Sequence, residues 1–104
     1  MMRWSPASPP RPGCPHRRLR FLLTRELPPG SAIGASTFRP WASANFVGAR
    51  HLFPCAPTSG DGAALQARLS TKEWALPGHI VADVVVERGA DPDTLQIEIL
   101  TVED

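Results

Sequence analysis

Cysteine and histidine, two residue types that hold structural zinc, occur in two short pairs along this chain. Cys14 and His16 stand on either side of a proline, and three residues separate His51 from Cys55. Zinc motifs usually place two ligands about two to four residues apart, a spacing that only the second pair meets. A zinc site built from Cys14, His16, His51 and Cys55 is therefore one alternative. The simpler prediction is that Cys55 is a small, buried apolar residue.

A cysteine nucleophile with a histidine base is the second chemistry that these residue types could support. Cys55 would be the nucleophile and His51 or His79 its base, because such partners need be adjacent only in space. Nothing in the spacing brings them together, so a small enzyme centred on His51 and Cys55 stays an alternative. The main prediction is a chain with no catalytic residue and no cofactor.

The two cysteines could also form a disulfide, which persists only in an oxidising compartment. A secretory signal needs about 7 to 15 apolar residues after its positive start, and the apolar run within Leu19 to Thr24 is shorter. We therefore expect reduced thiols and a cytoplasmic protein. An N-terminus rich in arginine and almost free of acidic residues is also typical of organelle transit peptides, so targeting to an organelle is the alternative.

Three arginines crowd one short segment, at Arg17, Arg18 and Arg20. Guanidinium groups bind phosphates in a bidentate fashion, and a basic arm can fold onto RNA or DNA. The usual supporting features are missing, because the sequence has no aromatic residues interleaved for stacking and no recognition-helix pattern. Nucleic-acid binding through these three arginines is therefore an alternative prediction.

Charge and proline are distributed unevenly along the chain. Residues 1–45 hold seven arginines and one glutamate, a net charge of +6, whereas residues 46–104 hold four basic and nine acidic residues, a net charge of −5. Eight of the twelve prolines fall in the first part, where they restrict the preceding residues and remove backbone donors. We predict that residues 1–43 form a basic, Pro/Arg-rich extension that is largely irregular and mostly disordered.

Residues 44–104 have the composition of a small folded domain. Asn45–Phe53 is predicted as a strand, and Ala63–Leu69 as a short helix. Alternating apolar residues predict two more strands at Ile80–Glu87 and Leu95–Val102, and the turn residues between them predict an antiparallel hairpin. The expected fold is α+β, with a β-α-β-β order, a three-stranded, mainly antiparallel sheet and one short helical segment.

The second face of this predicted sheet mixes apolar and acidic residues. It would carry Val81, Val85, Leu100 and Val102 beside Asp83, Glu87 and Glu98. Such a face is too apolar to stay in water, so we predict a homodimer or another protein partner, unless residues 19–42 fold back over it. No apolar run approaches the ~20 residues that cross a bilayer, which excludes a transmembrane protein. The function class predicted is a soluble, non-enzymatic binding or assembly domain that self-associates through its sheet.

Overall fold

Two helices and five strands follow one another along the part of the chain that the computed structural model describes, residues 14–56, 62–91 and 93–104. They are α1 (His16–Glu26), β1 (Ala32–Ile33), β2 (Thr37–Ala42), β3 (Val47–Ala56), α2 (Gly62–Thr71), β4 (His79–Arg88) and β5 (Leu95–Glu103). The predicted α+β class and the antiparallel β4–β5 hairpin are confirmed. The predicted count of three strands and one helix is wrong, because one helix and two strands lie before β3.

All strand pairs in the sheet are antiparallel. The order is β1-β3-β5-β4, and β2 also pairs with β3. The short β1 lies against the end of β3, and β2 lies against its beginning, so the two together form one edge of the sheet. The four-strand path β2-β3-β5-β4 crosses the widest part of the sheet.

The prediction of a largely irregular segment up to residue 43 is wrong for residues 16–42. Helix α1 begins directly after Pro15, whose carbonyl accepts the Leu19 amide at 2.8 Å, and ends before Pro28. Proline suits the start of a helix, and between these two prolines there is room for three turns. Residues 1–13 lie outside the described part of the chain, and the prediction of disorder for them stays a prediction.

Both helices pack on one face of the sheet and enclose the core. The fully buried side chains include Leu19 and Leu23 of α1, Leu69 of α2, Phe53 of β3 and Ile97 of β5. Each leucine or phenylalanine moved from water into such a core contributes about 1.5–3 kcal/mol. The first helix is therefore part of the core.

A β-bulge in β4 changes which residues face the core. The pairing with β5 shifts between Val81 and Asp83, so one extra residue lies in β4 at this point. Our prediction that Val81 lies on the second face of the sheet is wrong, because Val81 lies on the N-terminal side of the bulge. Val81 packs against the core, whereas Ile80 is 53% exposed on the other face.

Strand β3 continues through Pro54 to Ala56, past the proline that we expected to end it. The Pro54 carbonyl still accepts a hydrogen bond, from the Gly34 amide at 2.8 Å. Near the start of the strand, the backbones of β3 and β5 lie close together at Gly48. A Cβ atom at Gly48 would lie 1.9 Å from the Thr101 carbonyl oxygen, a distance that no side chain tolerates.

The outer edge of β4 is covered by one side chain of α2. The Gln66 amide donates to the Val84 carbonyl at 2.6 Å, and its oxygen accepts the Val86 amide at 2.6 Å. These bonds take the place of a neighbouring strand at this point of the edge. Neither α1, of 11 residues, nor α2, of 10, is long enough to cross a membrane, and no other helix occurs in the described residues.

Candidate functional site

The sheet face opposite the two helices, called the open face below, carries its side chains in four rows across the strands. Alternate strand residues point to opposite faces, and Ile97, Ile99 and Thr101 of β5 point to the helices. The register then places the other set together. From one end of the strands, the rows are Trp41–Gly48–Val102–Ile80, Arg39–Arg50–Leu100–Asp83, Thr37–Leu52–Glu98–Val85 and Pro54–Gln96–Glu87.

Apolar side chains on the open face remain partly in water, since both helices pack on the other face. Ile80 is 53% exposed, and Leu52, Val85, Leu100 and Val102 are only partly buried. The predicted mixed second face is thus present in kind, with Ile80 in place of Val81. Residues 19–42, which we considered as a cover for this face, instead supply α1 on the opposite side and strands at one edge.

Charge is divided between the two sides of the open face. Arg39 and Arg50 lie directly opposite one another on β2 and β3, a like-charge pairing that destabilises a sheet. Arg50 forms an exposed ion pair with Glu98, whereas Arg39 has no ion pair within the described residues. Asp83 and Glu87 line the β4 side. One side of the face is therefore basic and the other acidic.

A second cluster lies on the helix side of the sheet, where the start of α1 crosses β3. The His16 ring stacks on Phe53 with a centroid distance of 4.9 Å and on His51 at 5.1 Å. The His51 side chain is fully buried. The structure thus brings together two of the four residues of the alternative zinc site, His16 and His51, although 35 positions separate them in sequence.

Hydrogen bonds run in one direction through this cluster and set both histidine tautomers. The Thr101 hydroxyl donates to the Ala49 carbonyl at 3.3 Å, so it accepts from His51 Nε2–H at 3.0 Å. His51 Nδ1 then carries a lone pair and accepts from His16 Nδ1–H at 2.9 Å. His16 Nε2 in turn accepts from the Ser36 hydroxyl at 2.8 Å. This histidine chain uses all four ring nitrogens.

Both imidazoles of the histidine chain are held in the neutral form. The pKa of His51 is lowered to about 4, chiefly by burial and also by the positive charges that His16 and His79 can carry. Burial also lowers the pKa of His16, with the Arg20 guanidinium as the second cause. The pair is therefore uncharged at neutral pH, which a buried hydrogen-bonded chain requires.

The four residues of the alternative zinc site do not converge on one point. His51 and Cys55 lie on the same strand with three residues between them, which in a β-strand separates their Cα atoms by about 13 Å. The described residues contain no group of three or more His, Cys, Asp or Glu side chains that could hold a metal ion. Cys14 is exposed and lines a cavity of about 240 Å³ at the other end of β3 from Cys55.

The thiol chemistry considered for Cys55 also lacks its partner. Cys55 is paired with Leu95 at the start of β5, whereas His79 is paired with Glu103 at its end, about 27 Å away. Burial raises the pKa of Cys55, so its thiol stays protonated at neutral pH. The interpretation of Cys55 as a small buried apolar residue agrees with its exposure of 2%.

The three clustered arginines have different surroundings. Arg20 donates from Nη2 to the Ile33 carbonyl at 2.9 Å and from Nη1 to the Gly34 carbonyl at 2.8 Å, which ties α1 to the end of β1 and the residue after it. Arg18 donates to the Ala75 carbonyl at 2.9 Å, and Arg17 is exposed. Two of the three guanidinium groups are thus bonded to backbone carbonyls, and nucleic-acid binding stays a prediction.

Comparisons of this chain with known protein families, with curated proteins and with solved structures found no match.

Proposed function

We propose that this protein is a non-enzymatic binding or assembly domain that self-associates through the open face of its sheet, with a cytoplasmic location as the sequence predicts. The observation that carries the proposal is the open face itself, where partly exposed apolar side chains alternate with charges of both signs. A face of this composition gains free energy when a second apolar surface removes it from water.

The size of the open face sets the strength of the association that we expect. Four strands about 4.8 Å apart and four rows about 6.8 Å apart give the open face roughly 500 Å² of flat area per copy. Interfaces of standard size bury about 800 Å² per partner. The proposed interface lies at the small end, so we expect a pair that forms at micromolar concentration and dissociates on dilution.

Leu100, which lies near the middle of the open face, provides the test. Native mass spectrometry and light scattering of the full chain between about 1 and 500 µM should show a concentration-dependent dimer. Leu100→Glu should shift it to monomer, because a charge replaces a central apolar side chain. The matched control is Phe21→Glu, which adds the same charge on α1 at a side chain 56% exposed.

Circular dichroism spectra of the variants should remain those of the folded protein. A wild-type chain that stays monomeric throughout this concentration range would overturn the proposal. The same conclusion would follow if Leu100→Glu remained dimeric while Phe21→Glu became monomeric.

A further inference from the structure

The four rows of the open face are complementary to a second copy in one orientation and not in the other. Two identical sheets that pack face to face are related by a two-fold axis that lies between them. Aligned packing keeps their strand directions within about 30° of each other, so the axis runs nearly parallel or nearly perpendicular to the strands. These two arrangements place different residues against one another.

With the axis parallel to the strands, each row meets the same row of the second copy in reverse order. Strand β2 then lies over β4 of the second copy, and β3 lies over β5. In the charged row, Arg39 faces Asp83 of the second copy. In the apolar row, Trp41 faces Ile80, and Gly48, which has no side chain, faces Val102.

With the axis perpendicular to the strands, each strand instead lies over its own copy. The rows then meet in reverse order, so Arg39 faces Thr37 of the second copy and Asp83 faces Val85. No charged side chain faces one of opposite sign. Charges that lose water without such a partner cost free energy, which disfavours this arrangement.

We propose that two copies of this chain pair through their open faces about a two-fold axis parallel to the strands, with Arg39 of each copy against Asp83 of the other. This inference rests on the proposed self-association and adds its orientation and its partner residues. The charges within a single copy give a second reason for the contact between Arg39 and Asp83. Arg39 lies opposite Arg50 and has no ion pair within the described residues, so a carboxylate from a second copy relieves that repulsion.

A charge-swap series tests the orientation directly. Arg39→Glu and Asp83→Arg, made singly, each turn two symmetric attractive contacts into two repulsive ones. We expect each to raise the dimer dissociation constant about tenfold, which corresponds to about 1.4 kcal/mol. The double variant carries the same pair with its charges exchanged, and it should return to within about threefold of the wild type.

Two variants off the open face control for net charge. Arg17→Glu on α1 makes the same change in charge as Arg39→Glu, and Glu73→Arg, after α2, matches Asp83→Arg. Both should leave the dissociation constant, measured by analytical ultracentrifugation at about 100 mM salt, unchanged within about twofold. Urea unfolding of the monomer should show that Arg39→Glu is no less stable than the wild type, because the new carboxylate lies opposite Arg50.

The outcomes separate this inference from the function on which it rests. If the wild-type chain dimerises but neither single variant changes the dissociation constant, the orientation alone is overturned. The same holds if the dissociation constant of the double variant does not return towards the wild-type value. A wild-type chain that never dimerises would overturn the self-association and the orientation together. Recovery in the double variant, with unchanged controls, supports both.

Discussion

Acid should destabilise this protein through one fully buried side chain, His51. Its pKa in the folded chain is about 4, against 6.5 for the unfolded chain, because burial disfavours the charged ring. Above pH 6.5 the ring is neutral in both states. Between pH 6.5 and about 4 the unfolded chain binds a proton that the folded chain does not. The stability due to the neutral ring is therefore complete above pH 6.5 and is lost as the pH falls.

The size of this loss follows from the two pKa values of His51. A difference of about 2.5 pH units, at about 1.4 kcal/mol per unit, gives about 3.5 kcal/mol at full titration; about 3 kcal/mol of this is lost between pH 7 and pH 4, because folded His51 is only half protonated at pH 4. A chain of 104 residues has roughly 5–15 kcal/mol of stability in total. Protonation of one ring therefore removes a substantial fraction of it.

Urea unfolding at several pH values, followed by tryptophan fluorescence at one protein concentration, measures this loss. With a urea dependence of about 1.5 kcal/mol per molar, the transition midpoint should fall by about 2 M between pH 7 and pH 4. His51→Gln is the matched control, because its amide can donate to Thr101 and accept from His16 but does not titrate. Carboxylates titrate alike in both proteins, so the difference between them isolates His51. Equal losses in the wild type and in His51→Gln would refute this reasoning.

Three further substitutions test how the fold is held, each by urea unfolding unless another method is named. Gly48→Ala should cost more than about 2 kcal/mol, because its Cβ would meet the Thr101 carbonyl oxygen at 1.9 Å; a neutral effect would contradict the close approach. Gln66→Ala should cost about 1–3 kcal/mol and speed hydrogen exchange at the Val86 amide, which then loses its acceptor; unchanged exchange would exclude the edge bond. Arg20→Lys should cost about 1 kcal/mol, since an ammonium cannot reach two carbonyls in the same fork, and equal stability would show that the fork is dispensable.

The hairpin of β4 and β5 could be predicted from the sequence, because alternation and turn residues are local signals. Helix α1 could not be recognised with the same criteria. Its core residues Leu19 and Leu23, with Leu27 directly after the helix, recur every four positions, but the arginines between them and the prolines around them resemble those of an irregular arm. The bulge near Val81 could not be predicted either, because packing against the core, and no local sequence pattern, determines where β4 takes one extra residue.

The candidate site was predictable in kind but not in its arrangement. A mixed apolar and acidic sheet face follows from the alternation of β4 and β5 alone. The basic half of that face comes from β2 and β3, whose pairing places Arg39 beside Arg50, and no local pattern indicates this register. The histidine chain joins His16 directly to His51, 35 positions away, and extends to Ser36 and Thr101, neither of which has a sequence signal.

The side chain of Gln66 bears on how many copies can join. Sheets that pair through free edges can add copies without limit, because each addition exposes a new edge. Here Gln66 forms hydrogen bonds with backbone groups on the β4 edge, and Pro40, in β2 on the opposite edge, has no amide hydrogen to donate. Pairing through the open face consumes that face in both copies. The proposed assembly would therefore close at two chains, and we expect a higher protein concentration to increase the dimer fraction without producing longer oligomers.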